Sequence, residues 1–145
     1  MTTIQSSVNQ LNSFLRGEIS AVETYRQAIE HLKNTTHRTE LASCKQSHEQ
    51  RAVLLAEQIR KLGGAPAASS GPWGAFAKLV AGGAATLGEK TAIAALEEGE
   101  DHGNKDYQVD LSQLDPATRA LVETRVLPLQ RTTHATISAL KQQLS

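Results

Sequence analysis

The sequence contains one phrase twice, and the phrase constrains the fold. Gly17-Glu18, six residues and Tyr25 are matched later by Gly99-Glu100, six residues and Tyr107. Ser47-His48 follows the first copy and Thr133-His134 the second. Each phrase lies in a run whose apolar residues recur every three or four positions, the period of a helix packed lengthwise on other helices. A chain of this kind reads as two versions of one helical hairpin, each with a carboxylate and a histidine on a face that should be apolar.

The stripes set the expected elements. The first helix is predicted over about Thr3 to Lys33, with Ile4, Val8, Leu11, Leu15, Val22, Tyr25, Ile29 and Leu32 on its seam and Glu18 interrupting it. After a polar turn, where Thr35 or Thr36 serves as cap, the second runs to Leu62 and stops at Gly63-Gly64. Its seam is Leu41, Cys44, His48, Ala52, Leu55, Ile59 and Leu62, with Arg51 at the edge of the same face. The third is expected from about Gly88 to Leu111 with Glu100 on the seam and Glu97 one turn before it. Asp115-Pro116 opens the fourth, Asp as cap and Pro in the first turn. Its stripe is Leu127, Gln130, His134, Ile137, Leu140 or Lys141, and Leu144, and Pro128 should remove the bond to the Thr124 carbonyl and bend it. Residues 63–87, rich in Gly, Pro and Ser, read as a long crossover with a short helix around Trp73, Phe76, Leu79 and Val80.

At 145 residues the chain is read as one domain, 1–145. Its 15 basic and 15 acidic residues balance, which gives no field for nucleic acid or a membrane surface. No run is apolar enough to span a bilayer, and no signal peptide is visible. The single cysteine, Cys44, fits a reducing compartment and a core filler, so a cytoplasmic location is expected. No Ser-His-Asp order, phosphate loop or paired-Cys motif is present, which leans away from an enzyme. Antiparallel hairpins put Glu18, His48, Glu100, Gln130 and His134 at similar height, so a polar layer is expected inside the bundle. His31, His37 and His102 are expected to face solvent.

The first helix, Leu11-Asn12-x-x-Leu15-x-x-Glu18-Ile19-x-Ala21-x-x-x-Tyr25, resembles that of bacterioferritin, and the order of motifs resembles the ferritin-like superfamily. Gly99-Glu100-Asp101 with Tyr107, and His134-x-x-Ile137-x-x-Leu140, are similar to an uncharacterised bacterial ferritin-like family of unknown function. The resemblance implies an all-α ferritin-like four-helix bundle: two antiparallel hairpins joined by a crossover between helices 2 and 3. It also implies a diiron site of one Glu from helix one, Glu-x-x-His from helix two, one Glu from helix three and Glu-x-x-His from helix four. Glu18 matches the first ligand. His48 stands for the helix-two Glu and Arg51 for its His. Glu97 or Glu100 serves for helix three; spacing does not choose. His134 matches on helix four, with Arg131 where the Glu belongs.

Two readings follow. In one, Arg51 replaces metal charge by pairing with Glu18 and Glu100, and the protein is a non-enzymatic structural or interaction module, a homodimer, with a stress role as the resemblance implies. In the other, Glu18, His48, Glu97 or Glu100, and His134 bind iron or zinc, in a redox or metal-handling relative of rubrerythrins and bacterioferritins.

Overall fold

A computed structural model describes residues 3–71 and 88–144. The short helix expected around Trp73 lies outside them. The described residues form four long helical arms: α1 (Thr3–His31), α2 (Thr35–Lys61), α3 (Glu89–Val109), and a last arm of α4 (Pro116–Leu121), a π turn (Val122–Val126) and α5 (Leu127–Gln143). No strand is present among them. The four predicted long helices are all there, and the all-α class is observed among the described residues.

The ends follow from local chemistry. Asn34 caps α2, its side chain accepting from the His37 N–H at 3.0 Å, in place of the threonines expected from the sequence. Asp115 caps α4 by accepting from Thr118 N–H, with Pro116 in the first turn as predicted. At the end of α2, Gly63 has φ +84°, its N–H bonds the Arg60 carbonyl at 3.0 Å, and the Gly64 N–H bonds Ile59 at 2.9 Å. That is a Schellman closure, which needs a left-handed residue at Gly63.

Pro128 sits in the first turn of α5, directly after the π turn. The Leu127 N–H reaches back to the Val122 carbonyl, a wider loop than the α-helix makes. A proline inside an α-helix would crowd the carbonyl four residues earlier, and the π turn is where the arm departs from α geometry.

The apolar core is split in two. One half holds Leu11, Phe14, Leu15, Leu55, Ile59 and Val126; the other holds Ala28, Leu32, Leu41, Cys44, Ile93 and Ile137. Along α1 and α5 the chain passes from the first half to the second, and along α2 and α3 it returns. Each helix is therefore antiparallel to its neighbours. The end of α2 and the start of α3 therefore lie at opposite ends of the bundle, which fits the long crossover expected between them. Its first part is tied to α1 by Asn12, which donates to the Ala65 carbonyl at 3.1 Å and accepts from Ala67 N–H at 2.7 Å. Glu89 at the start of α3 accepts from the Lys33 and Asn34 N–H groups at 2.8 and 3.2 Å, fixing the opposite end. Cys44 is a buried free thiol, and burial pushes it up to about 12, as suits a core filler.

Gly17 differs from Gly63: it lies inside α1, and a Cβ built on it meets nothing within 4 Å. Gly63→Ala is expected to lower stability by about 1 kcal/mol through left-handed strain. Gly17→Ala is expected to raise it by roughly 0.5–1 kcal/mol through helix propensity. Urea denaturation midpoints check both, and shifts of the same sign would contradict the assignment.

Candidate functional site: a buried ion layer at mid-height

Between the two apolar halves lies a layer of buried polar side chains: Glu18 from α1, His48 and Arg51 from α2, Glu100 from α3, and Gln130 and Thr133 from α5. Every one follows from position. Helical spacing puts residues three apart on one face, so His48-x-x-Arg51 and Gln130-x-x-Thr133 each aim two side chains inward from one turn.

His48 is the centre. Its Nδ1 is 2.7 Å from Glu18 Oε2 and its Nε2 is 2.6 Å from Glu100 Oε1. A neutral imidazole carries one N–H, so it would turn a bare nitrogen lone pair toward one of the carboxylates. Both ring nitrogens therefore donate, and the ring is an imidazolium. Burial alone would push His48 down, but the Glu18 charge and hydrogen bonds to both carboxylates outweigh it and hold the ring above its ordinary 6.5. Burial alone would likewise push the carboxyls up. The charges of His48 and Arg51 and the hydrogen bonds on Glu18 and Glu100 outweigh it and hold both below 4.5.

Each carboxylate is fully engaged. Glu100 Oε1 accepts from His48 and from the Tyr25 hydroxyl at 2.8 Å; its Oε2 accepts from Gln130 Nε2 at 3.1 Å and Thr133 Oγ1 at 2.8 Å. Glu18 Oε1 accepts from the Tyr107 hydroxyl at 2.9 Å, and its Oε2 faces His48 and, at 3.5 Å, Arg51 Nε. The repeated phrase thus closes on itself: the tyrosine of each copy donates to the glutamate of the other. Burial, followed by the neighbouring glutamate charge, drives both phenols well above 10, so they stay protonated donors.

Arg51 is 0% exposed. Its guanidinium donates to Gln130 Oε1, to Thr133 Oγ1 at 2.9 Å and to the Ser47 carbonyl at 3.4 Å. Two carboxylates, an imidazolium and a guanidinium sum to zero charge, which is what a buried layer requires.

The sequence reading placed Glu18, His48 and Glu100 here, and they converge. It also placed His134 here, and the structure corrects that. His134 has a side-chain exposure of 31% and pairs with Asp101 on the outer face of α3 and α5. Thr133 holds the inward position. Gln130 and Ile137 are one heptad apart, and both 133 and 134 fall between them at helical spacing; only the neighbouring helices choose. Glu97, the other helix-three candidate, is partly buried and pairs with Lys141 at 3.1 Å, away from the layer. Arg131 is exposed. His37, expected in solvent, is partly buried beside Glu89. Arg51 was expected to pair with both glutamates; it pairs with Glu18 and reaches Glu100 through Gln130 and Thr133.

The donor set does not fit a dinuclear iron centre. Such centres use four carboxylates and two histidines from these helix positions. Here the positions carry two carboxylates, one imidazole, an amide, a hydroxyl and a guanidinium that keeps its charge. Among the described residues no group of three His, Cys, Asp or Glu side chains is arranged to hold a metal ion.

The layer gives stability a pH signature. The stabilisation from Glu18 and Glu100, whose folded values are depressed, is present above about 4.5 and lost as pH falls through those values. That from His48, whose folded value is raised, is present below about 6.5 and lost as pH rises through it. Melting temperature should therefore peak in the window between, and His48→Gln should be less stable there and lack the alkaline decline. Glu100→Ala, which leaves two buried cations with one carboxylate, should cost about 3–5 kcal/mol, read from denaturant unfolding; an unchanged midpoint would contradict the pairing.

Among solved structures, the chain is similar to that of a ferritin-like, diiron-carboxylate protein from Bacillus anthracis str. Ames, at TM-score 0.66 and 18% identity, over 99% of this chain and 96% of the other. At that identity the likeness establishes the helical fold. No curated protein matches the chain. Residues 6–113 match the family described as Domain of unknown function (DUF2383), from the first helix through Glu18, His48 and Glu100 to the end of the third. The chain belongs to this family and has a ferritin-like fold.

Proposed function

We propose that the protein is a metal-independent helical module, working as a scaffold or interaction partner, in which a salt-bridged layer stands where ferritin-like relatives hold iron. The observation that carries this is Arg51. Its guanidinium is wholly buried and hydrogen-bonded to Gln130 and Thr133. A fixed positive charge there repels a metal cation, and the groups that accept its hydrogen bonds are neutral oxygens, which are poor ligands for iron.

The charge count supports the same reading. His48 and Arg51 together balance Glu18 and Glu100, so no further cation is needed for the layer to remain folded. The similar Bacillus anthracis protein is described as a diiron-carboxylate protein; the side chains in this chain's layer favour a different solution to the same buried charge.

Ferrous loading of protein purified without chelator, followed by desalting and elemental analysis, tests the reading. Substoichiometric iron is expected. Iron retained at two per chain and lost in Glu18→Ala would replace it with iron handling. The homodimer expected from the sequence is part of the proposal, and sedimentation velocity checks it: a species of twice 15.6 kDa is expected, and a monomer mass at all concentrations would remove it.

A further inference from the structure

The outer face of α2 and α5 lacks the charge that a solvated helix face ordinarily carries. On α2, Thr39, Ser43, Gln46, Gln50, Val53 and Glu57 recur at alternating spacings of four and three, and all are exposed. On the last arm, Arg125, Pro128, Thr132, Ala135 and Ala139 recur at alternating spacings of three and four, and all are exposed. Such spacing marks one stripe along a helix. Charged residues make up 21% of the chain. Yet no residue of the first stripe is charged from Thr39 to Val53, nor of the second from Pro128 to Ala139. Loss of charge is the mark of the covered centre of an interface.

The two stripes border a groove of about 660 Å³ whose apolar lining is Val53, Leu54, Pro128 and Leu129. Val53, at 56% exposure, is the most exposed large hydrophobic side chain among the described residues.

The charges that end the stripes choose the occupant. Glu57 and Arg125 line the groove, one from each helical arm. Both stand at the same end of the bundle, since Leu55, Ile59, Val122 and Val126 pack in one apolar half. Other charged residues of these arms are paired, Lys45 with Glu49 and Arg119 with Glu123. The side chains of Glu57 and Arg125 have no such partner among the described residues.

A surface with one charge of each sign, side by side at one end, can satisfy itself in a second copy. A two-fold axis parallel to the helices lays α2 of one copy on α5 of the other and keeps their ends level. Glu57 then meets the partner's Arg125, and the same contact forms a second time. A two-fold axis across the helices lays α2 on α2 with ends reversed, which sets both charges against uncharged stripe. The face is about 27 Å along α2 and about 20 Å across two helices. Two copies would cover on the order of 1,000 Å², enough for a specific contact.

We propose that the α2–α5 face is the contact between two copies of this chain, related by a two-fold axis parallel to the helices, with Glu57 of each copy paired to the partner's Arg125. This rests on the homodimer reading and names its surface and symmetry.

Sedimentation velocity of the full chain across concentrations tests it, on wild type, Glu57→Arg, Arg125→Glu and the double variant. Each single substitution sets like charges opposite each other twice, which opposes association. Each is expected to dimerise at least tenfold more weakly with helical circular dichroism retained, both positions being exposed. The double variant exchanges the pair and is expected to dimerise like wild type. Val53→Glu, which puts charge in the apolar lining, is the second probe of the face if a single variant does not fold. A wild-type dimer that neither the single variants nor Val53→Glu weaken overturns the face and leaves the homodimer standing. Dimerisation weakened in both single variants and not restored in the double overturns the pairing and its axis. A wild-type monomer at all concentrations removes the homodimer itself and leaves the groove to a different partner.

Discussion

The imidazolium of His48, held between Glu18 and Glu100, is the contact on which the other features of this bundle depend. It joins α2 to α1 through one ring nitrogen and to α3 through the other. A single buried ring thereby fixes the relative height of three helices. Apolar packing alone specifies axial register weakly, because one leucine fits nearly as well as the next along a seam. A short charged bond does not slide by a turn without orphaning its partners, and an orphaned buried charge is costly. Register fixed by a buried polar contact has its best-attested precedent in coiled coils.

The second cation completes the arrangement. With His48 alone, two carboxylates would share one positive charge in a dry interior. Arg51 supplies the other and reaches α5 through Gln130 and Thr133. The layer therefore contacts all four long helices and divides the apolar core into two halves. In diiron relatives of this fold the same helix positions carry carboxylates and histidines around metal. The physical requirement is shared, since buried carboxylates need positive charge. Here the charge is supplied by side chains that the chain itself encodes.

How far the sequence exposes this depends on the element. The helices were legible because their apolar residues recur at helical spacing, and the end of α2 because Gly63-Gly64 is a stop signal with a mechanism. Glu18, His48 and Glu100 were legible as polar breaks in those stripes, and Gln130 likewise. Thr133 was not. A small hydroxyl carries little weight beside an adjacent histidine, and the repeated Ser-His and Thr-His pairs invited His134 to be matched with His48. Position decides otherwise: His134 turns to Asp101, and Thr133 faces Glu100. The crossed tyrosine bonds were also hidden, because each Tyr lies one heptad from the Glu of its own copy and bonds the Glu of the other.

The sequence by itself determined the helices, their midpoints and the presence of charge among apolar residues, because periodicity and composition are local properties. It also determined that a guanidinium lay near that charge, since Arg51 is one turn from His48. Only the tertiary structure decided which atoms meet. A hydrogen bond depends on distances across helices far apart in the chain, and a one-residue choice on α5 exchanges a half-exposed histidine for a buried hydroxyl.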